Sequence, residues 1–190
     1  MSKKVGILGG TFNPPHIGHL IIANEVLNAL RLDEVRLMPN AIPPHKQKDK
    51  QVSEAQRLKM IQLAIRGIPN MTVETIELER GGTSYTFDTM EMLQQREPDT
   101  EFYFIIGGDQ VESLPKWHRI DELVQKVQIV GVPRPNTIIE TAYSISTLAI
   151  PQIDISSTLL RNRLLNGVTT KFLIPDRVND FIQKEKLYEI

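Results

Sequence analysis

Val5-Gly6-Ile7-Leu8-Gly9-Gly10-Thr11-Phe12-Asn13-Pro14-Pro15-His16-Ile17-Gly18-His19 is the stretch whose reading decides the fold. Val5 to Leu8 is a short apolar run ended by two glycines, the pattern of a strand buried on both faces. From Gly18 to Leu30, the apolar positions Leu20, Ile21, Ala23, Val26, Leu27 and Leu30 follow a helical spacing. A strand, a glycine turn and a helix in direct succession predict a βα unit with its turn at the strand's carboxyl end. Gly9 and Gly10 let backbone N–H groups approach an anion closely. Thr11 adds a hydroxyl, and the helix N-terminus adds further N–H groups and about half a positive charge. His16 and His19 are three residues apart and share one face of the first helical turn. Gly18 between them is expected to leave room for a ligand against the backbone. The stretch therefore reads as a donor-rich cup for phosphates.

Other readings of the same residues compete. A Gly-Gly after a strand is often only a turn. The two histidines could be a metal pair, although no neighbouring acidic residue or cysteine completes such a site. The dinucleotide pattern G-x-G-x-x-G and the Walker pattern G-x-x-x-x-G-K-[ST] are both absent.

Outward from this unit the same alternation continues. Glu34–Met38 predicts a second strand, and residues 39–52 a loop carrying Pro39, Pro43, Pro44, His45, Lys46, Lys48 and Lys50. Ser53 with Gln56 three residues on is a capping box, opening a helix to about Arg66. Met71–Ile76 predicts a third strand, Gly81–Ser84 a turn and Thr86–Gln95 a helix. Glu101–Ile106 predicts a fourth strand, apolar enough to be central, which runs into Gly107-Gly108-Asp109. Asp121–Gln125 is expected to be helical, Val127–Val132 a fifth strand and Thr147–Ile150 a weak sixth. Ser156 or Ser157 caps a helix to about Leu165. Pro175 opens the last helix as an N1 proline, with Asp176 in its first turn. Strands alternating with helices imply an α/β fold: a doubly wound, mainly parallel sheet covered on both faces, with a short C-terminal helical segment. Ligands of such sheets bind beyond the strand carboxyl ends, near a topological switch point.

Composition sets the limits. The chain has 190 residues, which at roughly 150 residues per domain predicts one domain over 1–190. Lys and Arg number 22 against 23 Asp and Glu, a net charge of −1. That balance argues against a nucleic-acid coat or a polybasic membrane binder. The absence of cysteine excludes a disulfide framework, a thiolate zinc site and a cysteine nucleophile, and fits a reducing cytoplasm. No apolar run approaches the roughly 20 residues of a membrane helix, and Gly9-Gly10-Thr11 cuts short any secretory signal.

Two separated motifs resemble those of the nucleotidyltransferase superfamily. His16-Ile17-Gly18-His19 resembles its H-x-G-H signature. Ile155-Ser156-Ser157-Thr158-Leu159-Leu160-Arg161 resembles its I-S-S-T-x-[IL]-R segment. Ser156-Ser157-Thr158 alone would read as an ordinary N-cap, but the pairing of the two motifs favours the resemblance. From Lys4 to about Leu187 the chain is similar to bacterial nicotinate-nucleotide adenylyltransferases. The likeness includes Gly9-Gly10-Thr11-Phe12, Pro39-Asn40, Pro43-Pro44-His45-Lys46, Ser84-Tyr85-Thr86, Gly107-Gly108-Asp109, Leu114-Pro115-Lys116-Trp117 and Arg134-Pro135. Asn13 stands where that family commonly has Asp, and Gly108 where it more often has Ala.

The resemblance implies a Rossmann-like nucleotidyltransferase fold and a reaction of ATP with nicotinate mononucleotide, the phosphate of the latter attacking the α-phosphorus. It implies Mg²⁺ held mainly through ATP phosphates, with no protein metal site. His16, His19 and Arg161 are the expected catalytic residues. Gly9, Gly10, Thr11, Phe12, Gly18, Ser156, Ser157 and Thr158 are expected at the phosphates, with Lys46 and Arg134 nearby. Thr83, Ser84, Tyr85, Thr86, Asp109, Trp117, His45 and Lys46 are expected on the nicotinate side. There the Trp117 indole could stack on the pyridine, and backbone N–H groups at 83–85 could bind its carboxylate.

Each assignment has a plainer alternative. Trp117 could be a core or groove aromatic, Asp109 a helix N-cap rather than a ribose ligand, Arg134 solvent-facing, and His118 a solvated loop residue. Three other functions compete: a related transferase acting on phosphopantetheine or with CTP, a non-catalytic nucleotide-binding module, and a metal hydrolase. Neither nucleic acid nor membrane is an expected partner, and a homodimer is compatible with the sequence.

Overall fold

The computed structural model describes residues 2–42, 52–133 and 141–188. His45, Lys46 and Arg134 therefore lie outside the described residues.

Strand β1 (Lys3–Gly10) leads into helix α1 (Ile17–Ala29), and β2 (Glu34–Pro39) precedes α2 (Glu54–Ala64). Strand β3 (Met71–Val73), α3 (Ile76–Arg80), α4 (Thr86–Arg96) and β4 (Thr100–Gly107) follow. The remainder is α5 (Gly108–Val111), α6 (Ile120–Lys126), β5 (Gln128–Val132), β6 (Ser146–Thr147), α7 (Ser157–Leu165) and α8 (Asp176–Lys184). The strands form one sheet in the order β3-β2-β1-β4-β5-β6, with every pairing parallel. The chain winds outward in one direction from β1 and in the other from β4. The switch point therefore lies at the carboxyl ends of these two strands, where Gly10 and Gly107 end them.

Side-chain alternation loads both faces. Val5, Ile7, Phe102 and Phe104 pack with Phe87, Met90 and Leu93 of α4 and Leu123 of α6. Leu8, Val35, Leu37, Ile105 and Val130 pack on the opposite face with Ala23 and Val26 of α1 and Ile61 of α2. At Gly6 a Cβ would stand 2.9 Å from the Leu32 side chain, so this position admits only glycine without a shift of its neighbours. A third cluster joins Met60 and Ala64 of α2 to Leu160 of α7 and Val178 and Ile182 of α8. The C-terminal helices are thereby part of the core. Among the described residues no helix is long and apolar enough to cross a membrane.

Several sequence expectations need correction. The third strand ends at Val73. The Glu74 N–H still donates to the Leu37 carbonyl of β2 at 3.1 Å, while its carboxylate accepts the Ile76 N–H at 3.1 Å and Arg36 Nη1 at 3.1 Å. Ile76 thus begins a helix. The sixth strand is only Ser146–Thr147. Between β4 and α6, where the sequence spacing marks no element, lie α5 and a 3₁₀ turn at Leu114–Lys116. Pro175 is the N-cap of α8, one position before the expected N1. The predicted capping box is present, with Ser53 Oγ accepting the Gln56 N–H at 3.2 Å.

A charged cluster closes the β2–β3 edge beneath α4. The guanidinium of Arg36 meets Glu97 through two bonds of 2.6 and 2.7 Å and Glu34 at 2.8 Å, while Arg96 bridges Glu74 and Glu97. The hydrogen bond from Arg36 holds the Glu97 carboxyl down at about 2, against an ordinary 4.5. A carboxylate with a depressed folded-state value stabilises fully above the unfolded value and loses that contribution as pH falls through the folded one. The melting temperature is therefore expected to drop as pH falls from about 4.5 toward 2. Glu97→Gln should flatten that part of a calorimetric pH series; an unchanged slope would refute the assignment.

Candidate active site

The phosphate cup is built around tight contacts. A Cβ on Gly9 would lie 3.2 Å from the Phe104 ring, and one on Gly10 3.1 Å from the Phe12 ring. Phe12 is buried with φ +50°, a left-handed conformation that turns the chain sharply after β1. The turn ends at His16, the N-cap of α1, and His19 is the third residue of that helix. The His16 backbone N–H donates to His19 Nδ1 at 3.1 Å. Accepting there makes Nδ1 the unprotonated nitrogen of the neutral ring, so Nε2 carries the proton and is the donor. The two imidazole centroids are 3.7 Å apart, and Phe12 packs against His19 at 4.8 Å. Gly18 also makes room for imidazole: a Cβ there would meet the His16 ring at 3.1 Å.

The second motif joins the first. Ser156 is the N-cap of α7, and its hydroxyl accepts the Leu159 N–H at 3.2 Å. Ser157 Oγ donates to the Pro14 carbonyl at 2.9 Å. Arg161 donates to the Asn13 carbonyl at 2.8 Å and to Thr158 Oγ1 at 3.2 Å. Ser157 thus gives its hydroxyl proton to Pro14, whereas Ser156 only accepts and keeps its O–H to donate. That hydroxyl and the N–H groups of the first turn of α7 are the donors this helix offers an anion.

These groups line a cleft of about 980 Å³ at the carboxyl ends of β1 and β4. Its walls include Gly9, Gly10, Thr11, Phe12, Asn13, His16, Gly18 and His19 from the first stretch, and Ser156, Ser157, Thr158 and Arg161 from the last. At the other end stand Ser84, Tyr85, Thr86, Asp109, Trp117 and His118. Trp117 Nε1 donates to Ser113 Oγ at 3.1 Å, and the indole meets Phe104 edge-on at 6.1 Å. His118 is exposed, as expected of a solvated loop residue, with its ring 4.8 Å from that of Tyr85. Asp109 is the second residue of α5, whose N-cap is Gly107, so the N-cap alternative is excluded. Thr83 does not line the cleft. It pairs with Ile42 in a parallel bridge that ties this turn to the end of β2.

Sequence reasoning missed two buried supports. Glu77 lies under the Ser84 turn, bonded to Ser84 and accepting from Thr89 Oγ1 at 2.8 Å; burial raises its pKa above the ordinary carboxylate value. Arg57 of α2, only 5% exposed, donates to the Thr11 carbonyl at 2.9 Å and the Asn40 carbonyl at 2.7 Å. It clamps the phosphate turn to the end of β2. An arginine one position after a capping box reads as a solvent-facing helix residue, and nothing in the spacing marks it otherwise.

The sheet order, the imidazole pair and the paired helix N-termini define a nucleotidyltransferase. The family described as cytidylyltransferase-like matches residues 7–163. A nicotinic acid mononucleotide adenylyltransferase from Plasmodium falciparum, solved in complex with NaAD, superposes with a TM-score of 0.84 at 20% identity, over 98% of this chain and 97% of that one, which establishes the fold. Two relatives give more. The nicotinate-nucleotide adenylyltransferase of Bacillus subtilis is 47% identical over 98% of this chain and 99% of its own length. The probable nicotinate-nucleotide adenylyltransferase of Bacillus licheniformis is 54% identical over 98% and 99%. The chain belongs to the nicotinate-nucleotide adenylyltransferase family.

Arg57→Lys keeps the charge and loses the two-carbonyl fork. Steady-state kinetics should then show the KM for ATP raised roughly tenfold, the worth of about one buried hydrogen bond, with cooperative melting preserved. An unchanged KM would contradict the clamp.

Proposed function

We infer that this chain transfers the adenylyl group of ATP to nicotinate mononucleotide, giving nicotinate adenine dinucleotide and pyrophosphate, a step of NAD biosynthesis. The observation that carries the reading is the meeting of His16 and His19 with the first turns of α1 and α7 on one cleft, fastened by the Ser157–Pro14 and Arg161–Asn13 bonds. Family membership names the acceptor.

In this reading a phosphate oxygen of nicotinate mononucleotide bonds to the α-phosphorus in line, as the bond from that phosphorus to the α,β-bridging oxygen breaks. Pyrophosphate leaves with that electron pair. No protein nucleophile takes part, and the chain has no cysteine to offer one. The work left to the protein is positioning and stabilising charge on phosphoryl oxygens. The Nε2–H of His19 and the imidazole of His16 donate to the triphosphate. The amides at Gly9, Gly10 and Thr11 and those opening α7 hold its oxygens, and Arg161 faces the leaving pyrophosphate. Thr158 lies beside that guanidinium. The family resemblance assigns Lys46 and Arg134 to the phosphates, and His45 and Lys46 to the acceptor.

At the other end Trp117 stacks on the pyridine, the backbone around Ser84 and Tyr85 receives its carboxylate, and Asp109 accepts from ribose hydroxyls. Amides, hydroxyls and imidazoles dominate the phosphate end, and the described residues bring together no group of three metal-ligating side chains. That donor set fits Mg²⁺ carried in on the triphosphate, where it would neutralise phosphate charge. Activity in the cytoplasm accords with this reading.

Purified protein with ATP, Mg²⁺ and nicotinate mononucleotide should release pyrophosphate, faster than with nicotinamide mononucleotide and far faster than with phosphopantetheine. His19→Ala should reduce kcat by roughly 10²–10⁴ with little change in melting temperature. Preference for phosphopantetheine, or near-normal turnover in the variant, would overturn the reading.

A further inference from the structure

We propose that Tyr188 is a positioning residue for catalysis: its buried hydroxyl, donated to Asn13 Oδ1, fixes the turn that aims the imidazole pair at the triphosphate. This rests on the function inferred above. Tyr188 and Asn13 are each 3% exposed and stand 175 residues apart in sequence. Tyr188 does not line the cleft, whereas Asn13 does. Any effect of the phenol on chemistry therefore passes through Asn13.

The turn is held at successive atoms. Asn13 Oδ1 accepts from Tyr188 and the Asn13 carbonyl from Arg161. The Pro14 carbonyl accepts from Ser157, and the Ile17 N–H donates to the Leu173 carbonyl at 3.0 Å. Every partner comes from the last 34 residues of the chain, counted from Ser157 to Ile190. Reaching Asn13 also requires unusual backbone. Lys186 and Tyr188 have φ of +50° and +65°, left-handed values that each cost roughly 1–2 kcal/mol for a residue with a Cβ. The fold tolerates them by burying Leu187 and Tyr188 against Leu160, Val178 and Ile182. A hydrophobic anchor alone could use any apolar side chain; the hydroxyl on Asn13 is what ties this segment to the active-site turn.

Tyr188→Phe keeps the buried ring and removes only the donor. Turnover should fall roughly tenfold, as expected when a buried carbonyl loses its partner, while the KM for the acceptor nucleotide stays within about twofold because Tyr85 and Trp117 are untouched. Leu187→Ala loosens the same apolar cluster without reaching Asn13; it should lower the melting temperature and leave kcat unchanged at 25 °C. Asn13→Ala should lose about as much turnover as Tyr188→Phe, and the double variant no more than the worse single one. Unchanged kcat in Tyr188→Phe would overturn the proposal. So would an equal kcat loss in Leu187→Ala, losses that multiply in the double variant, or failure of Tyr188→Phe to fold. The comparison is made with whichever acceptor the wild type uses fastest, so failure of the nicotinate assignment is seen separately in the wild-type panel.

Discussion

The cleft depends on the hydrogen bonds that fasten the Asn13–Pro14 turn to helix α7, from Ser157 to the Pro14 carbonyl and from Arg161 to the Asn13 carbonyl. A parallel sheet in the order β3-β2-β1-β4-β5-β6 brings β1 and β4 side by side and opens a crevice beyond their carboxyl ends. That alone gives the N-termini of α1 and of the one-turn α5. The longer helix α7, facing the same space, requires that residues far along the chain be brought back and held. The apolar cluster joining α2, α7 and α8 stabilises this return, and the polar bonds set its direction. Burial is non-directional, whereas donors aimed at carbonyls fix the geometry.

Much of this arrangement was legible in the residues. Short apolar runs ending in glycine located β1 and β4, and helical spacing located α1. The Ser53/Gln56 pair fixed where α2 begins, because a capping box is a local interaction complete within four residues. The two motifs predicted a shared cleft. What could not be read depends on tertiary partners. Met71–Ile76 reads as a single strand, but the Glu74 carboxylate caps the Ile76 N–H and pairs with the buried Arg36, and a helix starts at Ile76. That Gly18 also makes room for the His16 ring is not encoded in spacing, because it depends on the rotamer of that imidazole. Arg57 occupies an ordinary helical position and acquires its importance only because Thr11 and Asn40 arrive beside it.

The two ends of the cleft solve different physical problems. The end that the inferred function gives to the acceptor is aromatic, with Trp117 held by Ser113 and Tyr85 packed on His118. Such faces accept a flat heterocycle without requiring charge. The turn that carries Ser84 is stiffened from below by Glu77 and from the side by the Ala41 N–H, which donates to Ser84 Oγ at 3.0 Å. A rigid backbone presents its N–H groups at fixed positions, and fixed positions allow a carboxylate to be distinguished from an amide.

In the function inferred above, the end of the cleft formed by α1 and α7 must attract a polyanion in a protein whose formal charge is −1. Net charge is therefore not the source of attraction; local arrangement is. Arg36 and Arg96 are spent on Glu34, Glu74 and Glu97, and contribute little field beyond the edge they close. Arg161 is used differently. Its hydrogen bonds go to a carbonyl and a hydroxyl, which orient the guanidinium without cancelling its charge. The N-termini of α1 and α7 act in the same way, since their N–H dipoles carry partial charge and their first turns hold no acidic residue. In the inferred function the imidazole pair adds donors that need not be charged to act. A site of this kind would owe its strength to orientation, so the bonds that hold Asn13 and Pro14 in place would belong to the chemistry as much as the groups that touch the phosphates.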